Sequence, residues 1–152
     1  MKKVQYYKTQ LGNLGIVEEN GFITEILYAK KSENAVEEET LAIKKAHAQL
    51  EEYFTGKRKS FDFPLNPKGT EFQKKVWNAL SEIPYGKTVS YKDIATRVGN
   101  PKASRAVGMA NNKNPLMIIV PCHRVVGSNG AMVGYAGGLD VKEKLLKLEG
   151  VL

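Results

Sequence analysis

Residues 57–69 divide this chain of 152 residues into two stretches of different pattern. The segment carries Pro64, Pro67 and Gly69 after the basic cluster Lys57-Arg58-Lys59. Proline and glycine at that density interrupt helices and sheet ladders alike. The length suits one compact unit or two small ones. The break therefore predicts two domains, residues 1–64 and 65–152, with the basic cluster read as a solvated helix end.

The first stretch begins with β-type runs at residues 4–9, 15–19 and 21–29, with turns at Gly12-Asn13 and Asn20-Gly21. Asn-Gly between apolar runs is a strong two-residue hairpin signal. The acidic run Glu37-Glu38-Glu39 then opens a helix whose Ile43, Ala46, Leu50 and Phe54 recur at steps of three and four, giving one buried face. Gly56 stops it. His47 falls on the helix flank, where a packing or surface role is the ordinary one. No residue pattern here points to chemistry.

The second stretch reads as helical. Thr70 and Gln73 form a capping box ahead of the stripe Phe72, Val76, Leu80 and Ile83, which ends at Pro84-Tyr85-Gly86. Ser90 caps a short helix over residues 91–98, and Gly99 stands where a left-handed helix end requires it. Asn100-Pro101 starts a third helix as cap and first-turn proline. Two short helices about a Gly-Asn-Pro turn form a helix-turn-helix. The third helix is rich in small residues: Ala103, Ala106, Gly108 and Ala110 alternate with Lys102, Ser104 and Arg105. Two readings stay open, close approach to a nucleic-acid groove with Arg105 as a probe, or tight packing against neighbouring helices. Residues 116–120 read as a buried strand and residues 134–138 as a glycine-rich loop. A last helix, residues 140–149, is capped by Asp140 with Glu143.

Composition limits the function classes. Hydrophobic residues at 42% and charged residues at 26% exclude disordered and collagen-like chains. No apolar run is long enough to span a membrane, and the start lacks an apolar signal core. One Cys excludes an internal disulfide and any multi-Cys zinc site. These features predict a soluble, intracellular protein in a reducing compartment. Residues 1–64 hold ten basic and ten acidic side chains, so residues 65–152, with thirteen and six, carry the whole net charge of +7. Basic charge confined to one half suggests a polyanion partner, most often nucleic acid; a basic surface that only confers solubility is the competing reading.

The single Cys follows the apolar run 116–120, in Pro121-Cys122-His123-Arg124-Val125. A nucleophilic Cys needs its thiolate, and adjacent basic or cationic groups favour it. A lone Cys in apolar surroundings is otherwise an inert core residue. Neighbours in a strand point to opposite faces, so Cys122 and His123 meet only across a bend or a bridging water.

With Ser90-Tyr91, the run GNPKASRAVG at residues 99–108, Asn114-Pro115, GYAGG at residues 134–138 and Glu149-Gly150, this signature resembles the O6-alkylguanine-DNA alkyltransferases, the methylated-DNA–protein-cysteine methyltransferases. The resemblance covers residues 70–150. Residues 1–64 fit loosely as the variable N-terminal domain. It implies an α/β (α+β) chain: a small ribonuclease-H-like α/β domain followed by a winged helix-turn-helix alkyltransferase domain.

The implied function is DNA repair by direct reversal, an irreversible single-turnover transfer of an alkyl group from O6-alkylguanine, and from O4-alkylthymine, to the protein's own cysteine. Cys122 is then the nucleophile, His123 its base through a water, and Glu149 the group that orients His123. Asn114 is the hinge joining the helix-turn-helix to the active-site strand. Tyr91 donates to the purine and helps to rotate its phosphate. Carbonyls of Cys122 and Val125 accept from the exocyclic amine, the Ala136 amide donates to O6, and Tyr135 borders the base. Because the target atom is unreachable in a stacked duplex, the base must be flipped out. Arg105 fills the gap, and Lys102, Ala103, Ser104, Ala106, Gly108, Tyr91 and Arg124 contact DNA in the minor groove.

The resemblance further implies double-stranded DNA carrying O6-alkylguanine as partner, no cofactor, no membrane, a monomer, and a cytoplasmic location, nucleoid-associated in a prokaryote. The Cys and His set for the structural zinc of some members is missing, so no metal is expected. Position 136 is Ala where some members have Ser, which bears on pocket shape rather than activity. Two rivals are a Cys–His hydrolase and a winged-helix regulator in which Cys122 senses oxidation or alkylation.

Overall fold

The computed structural model describes residues 1–132, 135 and 138–152. The chain forms two units, Met1–Lys68 and Gly69–Leu152.

The first unit is a four-stranded sheet with one helix. Strands β1 (Lys2–Thr9), β2 (Gly12–Glu19) and β3 (Phe22–Tyr28) form an antiparallel meander, and β4 (Val36–Glu37) pairs parallel to β1, giving the order β3-β2-β1-β4. The second turn is the expected Asn20-Gly21, with φ of 55° and 86°, the two left-handed residues of a hairpin whose twist matches its strands. The first turn falls at Gln10-Leu11, one step before the Gly-Asn pair, which already belongs to β2. The acidic run does not open the helix. Val36 and Glu37 are drawn into the sheet, and Glu38 donates to the Val4 carbonyl at 2.9 Å. Thr40 is the cap, accepting from the Ile43 amide at 3.2 Å, and α1 spans Leu41–Phe54. Its predicted face of Ile43, Ala46, Leu50 and Phe54 is buried, with Gln49 and Tyr53 beside it. His47 stacks on Tyr7, ring centroids 3.6 Å apart, which is the packing role foreseen for it.

The second unit is helical around a very small sheet. Helix α2 (Glu71–Leu80) carries the expected Thr70/Gln73 capping box, and its Trp77 indole donates to the Ala110 carbonyl at 2.9 Å. Strand β5 (Val89–Ser90) leads into α3 (Tyr91–Arg97), capped by Ser90 and Asp93. Gly99 at φ 88° closes α3. The next helix, α4 (Ser104–Asn112), begins later than Asn100-Pro101 predicts. The Asn100 side chain and carbonyl hold the amides of Lys102 and Ala103, so those residues complete the turn rather than the first turn of helix.

Residues 116–120 are a buried turn, not a strand. Val120 donates to the Leu116 carbonyl at 2.8 Å, and Ile118 has φ of 74° while buried. A left-handed β-branched residue costs about 1–3 kcal/mol and persists only where its surroundings enforce it. Asn114 supplies part of that enforcement, its Nδ2 donating to the Val120 carbonyl at 2.8 Å and its Oδ1 accepting from the Leu116 amide at 3.0 Å. An apolar run signals burial more surely than it signals strand. Cys122–Arg124 then form one turn of 3-10 helix, followed by β6 (Val125–Val126), parallel to β5, and a turn at residues 127–130. Helix α5 (Leu139–Leu148) starts at Gly138 without a side-chain cap, so the expected cap at Asp140 lies inside the helix.

Candidate active site

The turn at residues 116–120 delivers Cys122 into the interior, 4% exposed. Because the Cys begins a 3-10 turn, the strand argument that sends Cys122 and His123 to opposite faces does not apply. Burial pushes the Cys122 thiol up from its ordinary range. Hydrogen bonds from the Asn114 and Tyr135 side chains and the charge of Lys142 act against that rise. The resting group is therefore a thiol, and Asn114, Tyr135 and Lys142 reduce, without outweighing, the cost that burial places on its thiolate.

His123, the next residue, forms a buried hydrogen-bonded pair with Glu149. Both side chains are wholly buried, with His123 Nε2 2.6 Å from Glu149 Oε2. The other ring nitrogen, Nδ1, is buried with no hydrogen-bond partner among the described residues. Glu149 is itself held by the Gly86 amide at 3.1 Å and by Arg124, whose Nε and Nη2 reach its two oxygens at 2.8 and 3.0 Å. A guanidinium fork across both oxygens is the geometry of a carboxylate. Facing that carboxylate, Nε2 carries the ring proton, and Nδ1 keeps the free lone pair.

Burial holds the His123 imidazole below its ordinary range, outweighing the opposite pull of Glu149. The unfolded ring takes up a proton near 6.5 and the folded ring only at lower pH. Below about pH 6.5 the unfolded state thus binds more protons, and stability falls as pH falls. Unfolding midpoints are expected to decline on acidification through that window, and less so in His123→Gln. Equal decline in both proteins would contradict a buried neutral imidazole.

Arg124 is not placed for DNA contact. It is buried, its Nη1 donates to the Ile83 carbonyl at 2.7 Å, and its guanidinium lies 5.7 Å from the Tyr85 ring centroid. All three sets of donors serve the interior because Glu149 offers two oxygens there. The expectation of a DNA-binding Arg124 is overturned.

The other expected residues fall in two groups. Tyr91, half-buried, is close enough to Cys122 that the sulfur's charge adds to burial in raising its phenol. With Lys92, Ser104, Arg105, Gly108, Gly127 and Ser128 it lines a hollow of about 520 Å3 beside α4. A Cβ built on Gly108 would come 3.9 Å from the Tyr91 ring, an ordinary contact, so a small residue there packs directly beside the tyrosine. Lys102, Arg105 and Ala106 are exposed, and Ala103 and Ser104 partly so. Ala110, by contrast, packs inward. The Val125 carbonyl, expected to accept from a base, already accepts from Lys142 Nζ at 2.5 Å, and the Cys122 carbonyl accepts a long bond of 3.4 Å from Asn111. The Cys122 carbonyl also accepts from the Val125 amide that closes the 3-10 turn, so a base there would have to displace the long Asn111 bond. The Val125 carbonyl has a second lone pair besides the one facing Lys142. Ala136, with Gly134 and Gly137, lies outside the described residues.

Lys142 and Asn111 are the site residues missed in the sequence. Lys142 is 0% exposed, and burial lowers its ammonium from the ordinary lysine range. Its position beside Val141, with Leu145 and Leu146 one turn on, marks the inner face of α5 and was the available signal. Lys92 and Ser128 were likewise unassigned; only the folded hollow brings them to Tyr91 and Arg105. Among the described residues there is no group of three or more His, Cys, Asp or Glu side chains able to hold a metal ion, and no helix long and apolar enough to cross a membrane.

Fold and site together define a helix-turn-helix protein with a buried cysteine followed by a histidine that is paired with a buried glutamate. Residues 71–151 match the family described as 6-O-methylguanine DNA methyltransferase, DNA binding domain, and residues 2–67 match its ribonuclease-like domain. The chain belongs to the 6-O-methylguanine DNA methyltransferase family. A methylated-DNA–protein-cysteine methyltransferase of Methanosarcina acetivorans is 68% identical over 107 residues, 70% of this chain and 69% of that protein. The constitutive one of Bacillus subtilis is 48% identical over 96% of each. The crystal structure of Mycobacterium tuberculosis O6-methylguanine methyltransferase, 40% identical, superposes with a TM-score of 0.90 over 98% of this chain and 93% of its own. That of the M. tuberculosis OGT in complex with DNA gives 0.91 over 97% and 92%.

Proposed function

We propose that this protein repairs DNA by moving the alkyl group of O6-alkylguanine onto Cys122. The observation that carries the reading is a buried Cys122 followed by the His123–Glu149 pair, whose Nδ1 has no partner among the described residues, with Tyr91 close to the sulfur and edging a hollow with Arg105.

In the reaction the Cys122 proton passes through a water to His123 Nδ1, and Glu149 stabilises the imidazolium that forms. The thiolate attacks the alkyl carbon, so that an S–C bond forms as the O–C bond breaks. Guanine leaves with the bonding electrons and recovers a proton, to which the Tyr91 hydroxyl contributes as donor. Asn114, Tyr135 and Lys142 steady the charge on sulfur. The product is a thioether, a leaving group too poor for water to displace, so each molecule reacts once. The lesion supplies the alkyl group, and no cofactor takes part.

The guanine reaches this buried sulfur only when rotated out of the duplex. Arg105 on α4 takes the vacated place, and Ala103, Ala106 and Gly108 let the helix approach a minor groove without regard to sequence. O4-alkylthymine, which presents an alkyl oxygen on a smaller ring, is a second substrate. The net positive charge of the Gly69–Leu152 unit, with twelve basic and six acidic side chains, favours duplex phosphates and makes binding salt-dependent.

Intact mass after incubation with methylated duplex DNA is the direct test. Gain of one methyl group mapped to Cys122, with a plateau near one per protein, is the expected result. Continued turnover would indicate a hydrolase, and sequence-selective binding without transfer would indicate a regulator. Arg105→Ala should slow repair of duplex DNA by at least tenfold more than it slows attack on a free alkylated base, a difference of about 1.4 kcal/mol in barrier. Equal slowing of both would remove Arg105 from the base-extruding role.

A further inference from the structure

We infer that Met109 is a second minor-groove contact of α4, an apolar one that rests on deoxyribose and disfavours ribose. The inference builds on the proposed seating of α4 against DNA and adds to it a residue and a basis for choosing DNA over RNA.

Three residues of α4, Val107, Ala110 and Asn111, are buried and define its inner face. At 100° per residue, the line opposite that face runs through Arg105, Met109 and Asn112. Met109 is 65% exposed, on a helix whose other outward positions are small, polar or charged. An isolated exposed methionine is unremarkable on an arbitrary surface. Here it stands one turn beyond Arg105 on the outermost line, with Lys113, an exposed cation suited to a phosphate, one turn further on. A helix cannot place Arg105 into a duplex from the groove side without pressing Met109 onto the same groove.

Its reach fixes what it touches. Four residues of helix advance about 6 Å, close to two base-pair steps of roughly 3.4 Å. With Arg105 in the vacated stack, the thioether meets the sugar edges about two steps away. A methionine side chain is flexible and polarisable, so it fits sugars of any sequence. A 2′-hydroxyl at that place would lose water against the thioether without gaining a partner, which is unfavourable.

The test uses the full-length protein carrying Cys122→Ser, which is expected to accept no alkyl group, with Met109 in that background as wild type. The duplexes are of one sequence and hold a single O6-methylguanine that fixes the register, and in them one deoxyribose at a time is replaced by ribose. On all-DNA duplex, Met109→Ala should bind about three- to tenfold more weakly, the loss of one partly buried apolar side chain, while Met109→Leu binds as wild type. The slope of log affinity against log salt should be unchanged in Met109→Ala, because an apolar contact displaces no counterion, whereas Lys102→Ala should lower it by about one. Wild type should show one ribose position of reduced affinity that Met109→Ala does not show. If Met109→Ala binds DNA as wild type while Lys102→Ala is weakened, this inference fails and the seating of α4 stands. If neither variant differs from wild type, the seating itself fails. An altered salt slope in Met109→Ala, or an unfolding midpoint below wild type, would assign its loss to misplaced charge or to folding and would also overturn the inference.

Discussion

Cys122→Ser is expected to accept no alkyl group from DNA while retaining most of its affinity for the duplex. The serine hydroxyl fits the space, but its pKa is far above that of a thiol, and an alkoxide is not formed by a neutral imidazole at physiological pH. Loss of a nucleophile has cost on the order of 10^6 in the rate of a hydrolase, and a loss of that size leaves nothing measurable here. DNA affinity should persist because the sulfur is buried, whereas the residues proposed to meet DNA are exposed on α4 and its neighbours. Mass spectrometry after incubation with methylated DNA and a binding titration on the same preparation check both halves. Retained transfer would remove Cys122 from the mechanism.

Arg124→Met is expected to damage the protein more than any exposed substitution, through stability as well as rate. The guanidinium is bound to both oxygens of Glu149 and to the Ile83 carbonyl, all of them buried. Removing it takes the cationic partner from a buried carboxylate that also faces His123 and the Gly86 amide. Breaking a buried ion pair from one side costs about 3–5 kcal/mol, comparable with the lower end of the whole stability of a small domain. Urea unfolding should show a fall of that order. Adding Glu149→Gln to Arg124→Met removes the orphaned charge and should recover much of the stability, but not the transfer rate, since a neutral amide does not stabilise an imidazolium. Were Arg124 a DNA contact instead, its loss would leave urea unfolding unchanged and lower the salt slope of binding by about one.

These two residues show which parts of the site a sequence displays. Cys122 and His123 are visible because they are adjacent in an unusual run, and Glu149 is visible only through its resemblance to a family pattern. Arg124 is equally visible, yet its basic side chain next to a presumed DNA surface suggested an outward role. The side chain turns inward because a carboxylate 25 positions away waits there, and no local pattern records that. Lys142 is the same case in reverse. A lysine on an amphipathic helix is usually solvated, and this one is buried because the Val125 carbonyl and the Cys122 sulfur give its charge a place to rest.

The fold divides along a similar line. Features set by neighbours in sequence were legible: the Asn20-Gly21 hairpin, the Thr70/Gln73 and Ser90 caps, the buried face of α1 and the left-handed Gly99. Residues 116–120 were not, because five apolar residues specify removal from water and nothing about backbone shape. The turn they adopt depends on Asn114 holding the Leu116 amide and the Val120 carbonyl at once, and on an interior that tolerates Ile118 at φ 74°. Met109 likewise looked like one residue among many until the burial of Val107, Ala110 and Asn111 fixed which side of α4 faces out.

The sequence by itself determined the Asn20-Gly21 hairpin, the Thr70 and Ser90 helix caps, the basic balance of the second half and the cysteine proposed to react. Short-range steric and hydrogen-bonding preferences, and a count of charges, suffice for those. Only the tertiary structure decided which side chains share the interior with Cys122, which carboxylate orients His123, and which faces of α3 and α4 form the hollow. A charge is buried only where partners distant in the chain neutralise it, and that condition exists only once the chain has folded.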